Sequence, residues 1–199
     1  MTYDPERHHR RSIRLKGYDY TQPSAYFVTI CTQDRTCLFG EVADGKMRMN
    51  EAGLMVQSVW DQLPAFYPGV GTDAFIVMPN HVHGIVVTEP TPVGAGLVPA
   101  HNGITPENRA TTRVALTVGD VVGAFKSRVT VAYTRGVKKS GWPPFPGRFW
   151  QRNYYEHIIR NDESLNRIRQ YILDNPARWA FDRENPAVTA PEPEDAWFV

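Results

Sequence analysis

Apolar and polar positions along the chain switch between the two-residue period of strands and the longer period of helices. Residues 25 to 32, AYFVTICT, are aromatic and β-branched and predict a strand. CLFGEVADGKMRMN follows, with Asp44-Gly45 between two short extended runs, which is a hairpin signal. Asn50 stands where it can cap a helix reaching to about Phe66, with Leu54, Val56, Val59, Trp60 and Leu63 on its apolar side and Pro68-Gly69 to end it. DAFIVM and HVHGIVVT predict two strands joined tightly at Pro79-Asn80. Asn80 suits such a turn because asparagine tolerates left-handed backbone geometry.

Helical spacing returns over 117 to 134, with Val118, Val121, Val122, Phe125, Val129 and Ala132 in phase. SGWPPFPG predicts a rigid connection and FWQRNYYEHII a strand. Asn161 can cap a last helix whose first turn holds Asp162 and Glu163, placed well against the helix dipole. Pro176 limits that helix, since the residue before a proline disfavours α geometry. Residues 89 to 115 carry prolines and glycines without a period and predict a long loop or insert. The chain divides into a basic arm over 1–20, a domain over 21–180 and a loose acidic tail over 181–199. Without the hairpin and the last helix, the order is βαββαβ. The expected fold is therefore α+β and ferredoxin-like, with an antiparallel sheet, an extra β-hairpin and a C-terminal helix. That architecture hosts many functions and selects none.

A chain of 199 residues suits one domain with appendages. No apolar run approaches the roughly 20 residues that a membrane span needs. The start, MTYDPERHHRRSIRLKGYDY, lacks the apolar stretch of a secretion signal, so the expected location is cytoplasmic, with no membrane partner. Cys31 and Cys37 lie in or beside strands and read as ordinary core thiols. Net charge is only +1, yet the cations cluster. Arg7, Arg10, Arg11, Arg14 and Lys16 fill the N-terminal arm. Lys126, Arg128, Arg135, Lys138, Lys139, Arg148, Arg152 and Arg160 stand against the lone acid Glu156. Such clusters fit nucleic-acid phosphates, and they also fit a solvated surface.

Two constellations carry candidate chemistry. His81 and His83 flank Val82 at the start of a strand, so their rings point to one side and can hold a divalent ion. On the last helix, Leu165, Ile168 and Ile172 face the core, and Tyr171 and Asn175, four residues apart, stack towards the same sheet. A second tyrosine and histidine, Tyr155 and His157, share a strand face in YYEHII and form an alternative site.

RRSIRLKGYDY, AYFVTICTQDRTCLFGEV, FIVMPNHVHGI, VVGAFKSRVT, FWQRNYYEHIIRNDESL and YILDNP resemble, in order, the blocks of the REP-associated tyrosine transposases. These are single-tyrosine HUH nucleases related to small insertion-sequence transposases. The resemblance spans roughly 10 to 180. It implies that His81 and His83 bind Mg²⁺ or Mn²⁺ and that Asn175 occupies the third ligand position, where some relatives have glutamine. Tyr171, on a catalytic C-terminal helix, would be the nucleophile. It implies cleavage of single-stranded DNA hairpins through a 5′-phosphotyrosine, with strand joining by reversal. Arg10, Arg11, Arg14, Lys16, Lys126, Arg128 and Arg152 are the candidate DNA contacts. A monomer or a dimer fits equally. Two alternatives stay open: a hairpin-binding protein that does not cut, and an RNA-binding module on the same scaffold, for which AYFVTI lacks the usual base-stacking aromatics.

Overall fold

The computed structural model describes residues 22–89 and 116–189. The basic arm, most of the 89–115 segment and the last ten residues lie outside them. Strand β1 (Ser24–Cys31) is followed by a hairpin of β2 (Gly40–Ala43) and β3 (Lys46–Met49). Helix α1 (Glu51–Asp61), the short α2 (Leu63–Phe66) and strands β4 (Val70–Val77) and β5 (His81–Thr88) come next. Helix α3 (Val118–Ser140), strand β6 (Tyr155–Ile159) and helix α4 (Asp162–Asp174) complete the order, and a 3-10 turn continues over Asn175–Phe181.

The main sheet runs β4-β5-β1-β6 with every neighbouring pair antiparallel. The two long strands that pair in its centre are joined to the outer ones as the βαββαβ order requires, so the ferredoxin-like α+β expectation holds. The hairpin stands apart as a two-stranded ribbon. Asp44 and Gly45 both have positive φ, 53° and 69°, the geometry that a two-residue hairpin loop demands.

Alternation along the strands separates two cores. Tyr26, Val28 and Ile30 of β1 and Val82 and Val86 of β5 face α1 and α3, among Trp60, Phe125 and Tyr133. Phe27 and Ile85 face the other way, under Ile168 and Ile172 of α4. Gly84 permits this closeness: a Cβ there would stand 2.5 Å from the Trp60 ring and 2.9 Å from Phe75. Helix α4 is tied to the far edge strand by Arg169, whose guanidinium makes two hydrogen bonds to Asp73, at 2.9 and 2.6 Å.

Several boundaries differ from expectation. The helix capped by Asn50 breaks at Gln62, and α3 continues to Ser140, where Gly141 stops it at φ 69°. Only Tyr155–Ile159 of FWQRNYYEHII is a strand. The preceding residues run beside the end of β1 instead, with Trp150 bridged to Thr32 and the Gln151 N–H donating to Cys31 O at 2.9 Å. Asn175 keeps α geometry (φ −55°, ψ −41°) although proline follows, and the chain tightens into the 3-10 turn rather than leaving the helix. Cys37 is exposed and only Cys31 is buried. Among the described residues, no helix is long and apolar enough to cross a membrane.

Candidate metal and nucleophile site

The first residues of β5 deliver both histidines to the face that α4 covers. Both are buried there: His81 is 0% and His83 3% exposed. Their Nε2 atoms stand 3.0 Å apart. Each Nδ1 has a partner on the far side of its ring, Asn80 Oδ1 for His81 and Thr29 Oγ1 for His83, both at 2.8 Å. Burial alone holds His81 down at about 3, and burial together with its neighbour holds His83 well below the ordinary imidazole range. Both rings are therefore neutral at physiological pH, the form that ligates metals.

Helix α4 adds the other expected residues. Tyr171 Oη lies 3.3 Å from His83 Nε2, and the Asn175 carboxamide approaches the same nitrogen with Nδ2 at 3.3 Å. Phe27 organises the rings: it stacks on His83 at 5.4 Å between centroids and meets Tyr171 edge-on at 5.8 Å.

Sequence reasoning missed Asp182, which it assigned to a loose tail. The 3-10 turn after α4 carries the chain back across the histidines, with Trp179 6.0 Å from the His81 ring. Asp182 Oδ2 lies 3.6 Å from His81 Nε2, and its side chain is 5% exposed. The tail is thus held at its start: Glu184 pairs with Arg35 at 2.7 Å and its carbonyl accepts from Asn80. Burial raises the Asp182 carboxyl above the usual range, while the Glu184 N–H and the Asn175 side chain pull the other way. No periodic signal marks Asp182, because a 3-10 turn rather than a strand or a helix face places it.

His81, His83 and Asp182 bring one ligand atom each within 4.8 Å of one another, the sole such group among the described residues. Two buried oxygens there, Asp182 Oδ2 and Asn175 Oδ1, have no hydrogen-bond partner. Rotating the Asn175 amide by half a turn would exchange its Nδ2 for Oδ1 beside His83. Two imidazole nitrogens and two oxygens around one point fit a divalent cation, with an oxygen content suited to Mg²⁺ or Mn²⁺.

The alternative pair divides. Tyr155 pairs with Thr29, and Thr29 with His83, so Tyr155 shares a cross-strand row with the site. Its ring meets Phe27 edge-on at 6.2 Å. His157 stands opposite Phe27 and outside the cluster. Of the candidate DNA contacts, Arg10, Arg11, Arg14 and Lys16 lie outside the described residues. Lys126 donates to Gln151 O and Asn153 O, both at 3.0 Å, and burial lowers its ammonium to about 8. Arg128 lies 3.6 Å over the Phe66 ring. Arg152 is exposed beside Arg148 on an open groove that Lys126, Thr130, Phe145 and Trp150 also line.

No family model matches the chain. An uncharacterized protein of Haemophilus influenzae is 38% identical over 184 residues, which is 91% of this chain and 96% of that protein. A second Haemophilus influenzae protein, provisionally named a REP-associated tyrosine transposase, is 25% identical over 163 residues, covering 82% of this chain and 76% of the relative. A solved REP-associated tyrosine transposase bound to a REP hairpin has the same fold, with a TM-score of 0.50 at 17% identity over 83% of this chain and 73% of that one. The ordered sequence blocks, the sheet order and these relatives agree: the chain is similar to the REP-associated tyrosine transposases.

Proposed function

We propose that the protein is a metal-dependent endonuclease and transposase for single-stranded DNA hairpins, with Tyr171 as nucleophile. The observation that carries this reading is one hydroxyl at one ligand cluster: Tyr171 Oη sits 3.3 Å from His83 Nε2, beside His81, Asp182 and Asn175. His81 Nε2, His83 Nε2 and Asp182 Oδ2, with Asn175 Oδ1, would hold Mg²⁺ or Mn²⁺. The ion, when bound, offsets the charge of a phosphodiester and aligns it. The hairpin substrate is carried over from the solved relative, which holds a REP hairpin.

Tyr171 Oη attacks phosphorus. The phenol loses its proton, the P–O3′ bond breaks, and the departing oxygen takes up a proton to become a 3′-OH. The 5′ side stays esterified to the tyrosine, so a second 3′-OH can attack the same phosphorus and join strands. Helix α4 fixes the attacking oxygen through the packing of Ile168 and Ile172 and through Arg169 on Asp73. The edge of Phe27 limits where the phenol ring can swing.

The test is a denaturing gel with hairpin DNA labelled 3′ of the cut, in Mn²⁺. Wild type forms a covalent adduct. Tyr171→Phe keeps the ring and its contacts, binds the hairpin and forms none, while Tyr155→Phe forms it. An adduct that survives Tyr171→Phe and disappears in Tyr155→Phe moves the nucleophile to β6. Cleavage by wild type with no adduct makes water the nucleophile, and hairpin binding without cleavage defines a protein that binds and does not cut.

A further inference from the structure

We infer that Asn80 is a positioning residue for His81: its side-chain amide fixes the tautomer that leaves His81 Nε2 bare and aimed at His83 and Asp182. The inference rests on the metal reading above. Asn80 lies in the tight β4–β5 connection, but its φ is not positive, so the left-handed tolerance expected to place an asparagine there is not used. It is fully buried, at 0% exposure. Its Nδ2 donates to two backbone carbonyls, Arg35 O at 2.9 Å and Glu184 O at 2.7 Å. Carbonyl oxygens only accept, so they decide which end of the amide faces them. The reverse orientation would set the amide oxygen against both. Asn80 Oδ1 is thereby directed at His81 Nδ1, 2.8 Å away.

An amide oxygen accepts and cannot donate. His81 Nδ1 must therefore carry the hydrogen, and a neutral imidazole with Nδ1–H has a lone pair at Nε2. In the 3.0 Å approach of the two Nε2 atoms, His81 Nε2 is then the accepting side, open to a His83 Nε2–H in the metal-free protein and to a cation when one is bound. His83 lacks such a lock, because the Thr29 hydroxyl at its Nδ1 can either donate or accept. Asn80 is itself clamped: its backbone oxygen accepts from Thr32 N at 2.8 Å and from Thr32 Oγ1 at 2.9 Å. The amide's two anchoring carbonyls belong to Arg35 and Glu184, which are also joined by an ion pair of 2.7 Å. The side chain that sets the ring thus depends on both chain segments that cross beside it.

The test needs neither DNA nor turnover. In the metal-free protein, two-bond ¹⁵N–¹H NMR correlations report the His81 tautomer. Mn²⁺ affinity is measured by EPR titration of the full chain, and melting curves report folding. Wild-type His81 is expected as Nδ1–H. Asn80→Asp keeps an acceptor for that hydrogen, so the tautomer and most of the affinity persist even though melting falls. Asn80→Ala loses the acceptor, the tautomers mix, and Mn²⁺ affinity weakens by about 10- to 100-fold. An Nε2–H tautomer in wild type overturns the proposal, whatever the variants do. Equal loss of affinity in folded Asn80→Asp and Asn80→Ala also overturns it, because the amide would then act on the fold alone. His81→Ala is the separate control: unchanged Mn²⁺ affinity there removes the metal reading, while the wild-type tautomer still reports on Asn80.

Discussion

A histidine pair held neutral by burial ties the stability of the metal-free protein to pH. The folded His81 titrates near 3 and His83 well below the ordinary value, against about 6.5 in an unfolded chain. Below 6.5 the unfolded state takes up protons that the folded state refuses, so stability falls as pH falls. Each ring costs about 1.4 kcal/mol per pH unit once well below 6.5. Melting of the metal-free protein should therefore drop steadily from pH 7 to pH 5, and a His81→Ala, His83→Ala protein should lose that slope. A flat profile in wild type would mean that the rings are hydrated. That His81 and His83 share a side, and Tyr171 and Asn175 another, was legible from fixed spacings on a strand and a helix, while the resemblance singled the four out as one candidate site. Asp182 and the role of Asn80 were not legible. Their partners lie far away in sequence, at 81 for Asp182 and at 35 and 184 for Asn80, and no local pattern encodes such a meeting.

At the scale of elements, β5 carries the most constraint. It pairs on both sides, and its two faces meet different cores, with His81 and His83 on one and Trp60 pressed onto Gly84 on the other. Gly84→Ala would force the indole aside. The expected cost is that of overpacking, about 1–3 kcal/mol, seen as a lower melting temperature. Because residue 84 adjoins His83, Mn²⁺ affinity should fall with it; an unchanged melting temperature would show that Trp60 has room to move. The strands and the Asp44-Gly45 hairpin were legible from alternation and turn chemistry. The 149–154 stretch was not. It has the composition of a strand, but its aromatics Phe149 and Trp150 fill the main core, and only from Tyr155 does the chain pair in regular register.

For the whole molecule, the sheet separates two surfaces. The proposed reaction centre lies under α4, while α3 and its cations pack on the opposite face. The connection from α3 to the edge strand β6 carries exposed Arg148 and Arg152 past the end of β1. We expect a hairpin that reaches Tyr171 and also uses these cations to pass this edge. Replacing Arg148 and Arg152 with alanine should flatten the dependence of hairpin affinity on salt, by up to about two units of log–log slope. Lys126→Ala should lower melting and leave the slope alone, because its ammonium is already spent on two carbonyls. A full-size slope in the double arginine variant would place the DNA elsewhere.

The strap that brings Asp182 over the histidines has a consequence for synthesis. A nascent chain carries both imidazoles long before Tyr171 leaves the ribosome, and Glu184, whose carbonyl anchors Asn80, emerges later still. Domains fold as units once their last packing partner is available. On the proposed reading the centre is completed by almost the last part of the domain to be made: a chain interrupted before Tyr171 holds His81 and His83 but lacks Asn175, Asp182 and the proposed nucleophile alike, and is expected to be unable to cut DNA.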